Sequence, residues 1–393
     1  MLAPCRKLIF NHPMKLFARL AAVFPLLAGA AIASAKDPLV FFGTFTNELS
    51  KGIYVSRLDQ RTGKLSAPEL AFTIPSPNFL APSPDGRFLY AATRVDEFSG
   101  VKGGAVSAFA VEAATGKLTL LNQKSSGGTG PCHVSVDALG KFLFVANYNG
   151  GNVKSFLLKP DGGIGEGGTF IQHTGHSVNP DRQTAPHAHW IAADPSDRFV
   201  LACDLGMDKV MIYKLNPTNA TLLANDPPSA SVTPGAGARH LAFSRDGRFA
   251  YVINEFACTV TTFAWDATNG TLTAHETNPI LPPAVPVQTN YTAAGILVSP
   301  DGRFVYATVR WHDSISVFAA DAQSGRLKFV ENVPSHGKIP RALGIDPTGR
   351  WLIVVNQKAS TAVVFSINAE TGKLTPTGQE LRIGEPVDVK FVN

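Results

Sequence analysis

Six times along the chain a short polar turn gives way to a run of apolar residues. The phrases are SPDGRFLYAAT (83–93), DALGKFLFVAN (137–147), DPSDRFVLACD (194–204), SRDGRFAYVIN (244–254), SPDGRFVYATV (299–309) and DPTGRWLIVVN (346–356). In each, a turn bearing Asp or Gly and then a basic residue precede an apolar strand. The basic residues are Arg87, Lys141, Arg198, Arg248, Arg303 and Arg350, spaced 54, 57, 50, 55 and 47 apart. Intervals near 50 suit four-stranded propeller blades. A second phrase, TGKL or a relative of it, closes units at Gly63, Gly116, Gly270, Gly325 and Gly372, with weaker versions at 160–164 (PDGGI) and 219–223 (NATLL). Between the two phrases lie segments such as KGIYVSRL, CTVTTFAW and DSISVFAA, whose β-branched and aromatic residues are flanked by turn formers. These segments and the TGKL-type turns both count to seven. No segment keeps a 3.6-residue period, which excludes a helical solenoid.

The turn phrase occurs six times because the ends of the repeat are split. PLVFFGTFTN begins as a second strand with no first, and EPVDVKFVN is a first strand with no continuation. The pattern therefore predicts an all-β fold over residues 36–393: a single seven-bladed β-propeller, its ring closed by the C-terminal strand pairing into the first blade. With 45% hydrophobic and 17% charged residues, the composition is globular.

Residues 1–35 read as a signal peptide. Lys15 and Arg19 flank the short apolar run LAAVFPLLAGAAIA, and Ala33-Ser34-Ala35 forms an A-x-A cleavage pattern; Met14 is an alternative start. The run is short for a bilayer span, and no cysteine follows it for a lipid anchor. The expected product is exported, periplasmic or extracellular, with no membrane attachment after cleavage. Cleavage removes four cations and no acid, so the formal charge falls from +5 to +1 and gives no support for nucleic-acid binding. Cys132, Cys203 and Cys258 remain, an odd number in no CxxC spacing, and are expected as buried free thiols.

Aligning the units on the basic residue exposes two columns. Nine positions before it, where each inner strand starts, stand Asn78, Cys132, His189, Arg239, Ala294 and Arg341; seven positions after it stand Arg94, Tyr148, Leu205, Glu255, Arg310 and Gln357. An inner strand running down the channel and a second strand running back place both columns at one mouth. Charge gathered around that axis is costly unless it serves a ligand. His187 shares a face with His189 if that stretch is extended, and the irregular insertion before them is expected to form a lid, with Arg182 as a ligand contact. His133 and His240, one position past the column, are expected to face the other way and pack. Zinc held by His187 and His189 with His173 and His176 is a rival reading. No carboxylate shares their strand, and neither metal nor cofactor is expected. Asp204 and Asp208 are expected to brace the turn or the histidine loop.

GHSVNPDRQTAPHAHW (175–190), DLGMDKVMIYKL (204–215), GARHLAFSRDGRFAYVINE (237–255) and VRWHDSISVF (309–318) together resemble the lactonase family of seven-bladed propellers. The family includes 6-phosphogluconolactonases and a fungal carboxy-cis,cis-muconate cyclase. The resemblance implies a cofactor-free site of one histidine, two arginines and a glutamate, falling on His189, Arg239, Arg310 and Glu255. Residues His187, Arg182, Arg341 and Arg94 are expected to bind substrate. The expected activity is hydrolysis of a sugar or sugar-acid lactone, a small anionic substrate. A non-enzymatic binding propeller and a lactonising cycloisomerase are the alternatives. An export signal departs from the cytoplasmic role of the family's phosphogluconolactonases, so fold and pocket carry over better than the substrate does.

Overall fold

The computed structural model describes residues 37–392, so the signal-peptide segment lies outside the described residues. Among them the strands form seven sheets, six of four strands and one of five, with a separate two-stranded ribbon at Glu97–Phe98 and Val101–Lys102. In blade 5, Ala238–Phe243 is innermost, followed outward by Phe249–Asn254, Thr259–Asp266 and Thr271–Pro279. Blades 2, 3, 4, 6 and 7 open on Pro77–Pro82, Pro131–Val136, Ala188–Ala193, Thr292–Val298 and Pro340–Ile345. Blade 1 takes its innermost strand from Pro386–Val392, which pairs antiparallel with Leu39–Thr44. The innermost strands pack side by side around the axis, the last against the first, so the ring is closed as the split repeat predicts. No helix among the described residues is long and apolar enough to cross a membrane.

The second strand of most blades is sandwiched between neighbouring sheets, and this is why the repeated phrase is apolar without alternation. Phe142–Asn147, Phe199–Asp204 and Phe249–Asn254 are buried at all six positions. The core lies between blades. Leu201, Val210 and Ile212 of blade 4 pack with Leu241, Val252 and Phe263 of blade 5, and similar clusters join the other neighbours.

The two repeated phrases meet across the blade boundary. Arg248 is bonded by its Nε to Asp246 of its own turn at 2.7 Å, and its guanidinium also donates to the carbonyl of Ala322 in the next blade. Arg198 and Arg303 reach Ala267 and Ala369 in the same way. The aromatic residue after each arginine covers the glycine of the neighbouring TGKL-type turn. Gly270 has φ +69°, and a Cβ there would stand 2.3 Å from the Phe199 ring. Blade 4 places Ala220 at the equivalent turn position with φ +58°, against Phe142, so the backbone alone tolerates alanine. Gly270→Ala is therefore expected to lose about 1–2 kcal/mol by forcing Phe199 to shift. A chemical-denaturation midpoint measured beside wild type checks this.

Candidate active site

In each blade the pairing of the first two strands slips near the mouth. The register shifts between Pro77 and Phe79, Pro131 and His133, Ala188 and Trp190, Ala238 and His240, and Pro340 and Ala342. Blade 6 has a wider shift between Ala293 and Ile296, and blade 1 shifts at Gly43/Thr44. The unpaired residue in the first five is Asn78, Cys132, His189, Arg239 or Arg341, which is the first column of the sequence alignment. A β-bulge re-aims the side chains around it. It also corrects one expectation: His133 and His240 do not turn away from the axis. With a bulge residue on one side, both line the channel beside Cys132 and Arg239.

Glu255 is the centre of the charged cluster. It follows the second strand of blade 5 and is 4% exposed. Its Oε2 accepts from Arg239 Nε at 2.9 Å and lies 2.9 Å from Arg310 Nη2; its Oε1 accepts from Arg182 Nη2 at 3.2 Å. Arg239, 2% exposed, also donates to the Ala294 carbonyl at 2.6 Å. Arg310 Nε has no hydrogen-bond partner among the described residues. Arg182 reaches the cluster from the insertion, lying over the Phe256 ring and donating to the Tyr148 hydroxyl at 3.2 Å.

The insertion is less of a lid than its length suggests. Phe170–Gln172 is the outer strand of blade 3, and the segment after it is bolted down. His173 is buried, with Nδ1 2.6 Å from Asp204 Oδ2 and Nε2 2.7 Å from the Tyr213 hydroxyl. Asp204 also accepts from the His187 backbone N–H at 2.8 Å, and Asp208 accepts from the Ser177 hydroxyl at 2.5 Å. Both aspartates thus brace this segment.

The remaining candidates are spread around the mouth. His189 is 6% exposed and sits edge-on to Tyr148 and His240, at centroid distances of 5.4 and 5.1 Å. His187 precedes the strand and His189 is its bulged residue, and both rings meet Tyr148. His187 stacks flat on Tyr148 and bonds its carbonyl through Nδ1 at 2.9 Å. Arg341 lies over the Phe45 ring at 5.4 Å, and Arg94 donates to Asn149 at 3.0 Å; neither is paired with a carboxylate among the described residues. His189, Arg239 and Arg341 line a central cavity of about 340 Å³. No group of three or more His, Cys, Asp or Glu is placed to hold a metal ion among the described residues. Cys132, Cys203 and Cys258 are buried free thiols.

Two channel residues escaped the sequence columns. Asp388 and Lys390 pair at 2.7 Å, Asp388 accepts from the Leu80 N–H at 2.8 Å, and Lys390 lies over Phe79. They sit on the closing strand, which lacks the turn phrase used for alignment. Matching Pro386 to Pro77, Pro131 and Pro340 would have found them.

The sequence and the fold have counterparts among known proteins. Residues 39–391 match the family described as lactonase, 7-bladed beta-propeller. The chain belongs to the lactonase family of seven-bladed propellers. This places it among carboxylic-ester hydrolases. It is 35% identical to a 6-phosphogluconolactonase of Bacillus subtilis over 90% of this chain and 98% of that one. A structure of a putative 6-phosphogluconolactonase from Bacteroides fragilis is 32% identical with a TM-score of 0.84, covering 92% of this chain and 99% of the other. A periplasmic gluconolactonase from Pseudomonas aeruginosa is also 32% identical, TM-score 0.83, over 91% and 99%.

The electrostatics of this lactonase's mouth divide the ionisable groups by role. Burial by itself would raise the Glu255 carboxyl, but the guanidiniums of Arg310, Arg239, Arg182 and Arg341 bring it down to about 2. Glu255 is thus a permanent anion and a weak base. Burial, then the charges of Arg239, Arg341 and Arg310, hold His189 well below the usual histidine range, so at neutral pH its imidazole is uncharged. Burial and mutual repulsion also depress Arg239 and Arg341. A guanidinium does not give up its proton in a protein, so both remain cations crowded at one mouth.

Proposed function

We propose that the protein is an exported lactonase that opens a sugar or sugar-acid lactone at the mouth of the propeller. The observation that carries the reading is the convergence of Arg239 and Arg310 on one buried carboxylate, beside a neutral histidine whose Nδ1 has no partner among the described residues. A lactone carbonyl needs two things: stabilisation of the oxyanion that forms on it, and a base for the attacking water. In this reading Arg310 receives the carbonyl oxygen through its free Nε, with Arg239 behind it. His189 takes a proton from water as the water oxygen bonds to the carbonyl carbon. The same proton passes to the ring oxygen as the ring C–O bond breaks, leaving a hydroxy acid. Glu255 holds the guanidiniums in place, and Arg341, Arg182 and Arg94 attract the anionic end of substrate or product.

Two lines support an extracytoplasmic sugar lactone. The leader-like residues 1–35 match an export signal. The similar Pseudomonas protein is a periplasmic gluconolactonase. The test is hydrolysis of phosphorylated, free and carboxylated aldonolactones by the protein from Lys36 onward, corrected for spontaneous opening. Arg310→Met is expected to lower kcat by about 10²–10³ with a smaller change in KM, the signature of a lost oxyanion donor. A wild-type rate no faster than the spontaneous reaction on every lactone would leave a binding propeller instead.

A further inference from the structure

The reaction above uses His189, Arg239 and Arg341 from the wall of the central cavity but leaves the other polar side chains there without a task. Asn78 is 4% exposed; its Nδ2 donates to the Pro131 carbonyl at 3.0 Å, while its Oδ1 has no partner among the described residues. An unsatisfied buried acceptor costs about 1–3 kcal/mol, so its retention calls for a reason. His133 and His240 share the same cavity. His133 Nδ1 accepts from the Ile191 N–H at 3.4 Å, so the neutral ring carries its hydrogen on Nε2. His240 Nε2 faces Arg239 Nη1, which can only donate, at 3.3 Å, so its hydrogen lies on Nδ1. Burial, and the charges of Lys390 and Arg239, keep both imidazoles uncharged at neutral pH. Phe79 and Trp190 supply apolar faces, within 4.2 and 5.6 Å of the His133 ring. Lys390, the cation in this wall beyond the arginines, is already engaged by Asp388.

Uncharged donors and acceptors against aromatic faces fit a chain of hydroxyl-bearing carbons, since each hydroxyl both donates and accepts and each C–H can lie on a ring. They do not fit a carboxylate or phosphate, which the arginines serve. We propose that the channel cavity is a polyol subsite: Asn78 Oδ1 accepts from one substrate hydroxyl, and the N–H groups of His133 and His240 donate to others. The cavity, about 340 Å³, is of small-molecule size. The proposal rests on the lactonase reading, deepening it by naming what selects the substrate.

The test holds the ring constant and varies the hydroxyls, comparing kcat/KM for glucono-δ-lactone and unsubstituted δ-valerolactone. Asn78→Leu is expected to lower the ratio of the two by roughly 10- to 100-fold, the effect of removing one partner from a buried hydroxyl. His133→Phe keeps the ring volume, removes the donor and is expected to act in the same direction, so the test survives if one variant fails to fold. A ratio that stays at the wild-type value in the variants that fold, whether or not both rates drop, would overturn the subsite. If wild type opens neither lactone, the reaction assignment is judged separately on the phosphorylated and carboxylated lactones, and the subsite is judged by calorimetric titration with sorbitol. Millimolar or tighter binding that weakens at least tenfold in either variant supports it; no wild-type binding overturns it.

Discussion

Replacing His189 with alanine is expected to lower kcat on an aldonolactone by about 10²–10⁴, the range for loss of a positioned base. Glu255 does not compensate, because three guanidiniums occupy its oxygens and hold its carboxyl down to about 2. A base that weak takes little proton from water in the transition state. The pH profile separates His189 from a packing residue. Its pKa is lowered below 6.5, chiefly by burial, so the free base dominates at neutral pH. Wild-type activity should therefore be flat across neutrality and fall only on the acid side, as the imidazole gains its proton. In His189→Ala the residual rate should lose that acid limb. A residual rate that keeps the limb would assign the proton transfer elsewhere.

The second large effect concerns stability. Glu255→Gln removes the anion that offsets Arg239, itself 2% exposed, and leaves a buried cation without its partner. Breaking a buried pair from one side costs about 3–5 kcal/mol. The pH dependence has a definite sign. The folded carboxyl is depressed from 4.5 to about 2, so its contribution is complete above pH 4.5 and is lost as pH falls toward 2. Thermal melts of the two proteins should differ most at neutral pH and converge through that window. Comparing the pair also removes the shared acid sensitivity of the buried histidines. A constant gap from pH 7 to pH 2.5 would mean that the loss comes from packing rather than charge. Activity should fall as well, since the guanidiniums lose the group that aims them.

The architecture was legible because the repeat is written in local chemistry. A turn, a basic residue and an apolar run recur at blade spacing, and at Arg198, Arg248 and Arg303 a bond to a carbonyl of the next blade gives that residue its task. The split between PLVFFGTF and EPVDVKFV was equally readable, since a second strand without a first must find one. The juxtaposition of Arg239, Glu255 and Arg310 follows from register alone. What stayed hidden depends on pairing partners. A bulge exists only relative to the neighbouring strand, so strict alternation turned His133 and His240 away from a channel they line. Arg182 approaches Glu255 across 73 residues through an insertion whose path is set by His173, Asp204 and Asp208, and no local rule traces it.

Closure of the ring has a consequence for the order of events during synthesis. Leu39–Thr44 is buried along its whole length, yet its inner partner is Pro386–Val392 from the other end of the described chain. Until the ribosome has delivered Val392, the first blade presents an apolar strand with one bare edge. That nascent state is a template for any passing strand, including the same segment of a second copy. Loss of the last few residues would thus do more than weaken one blade. It would make that exposed edge permanent, with strand exchange between molecules as the way to cover it.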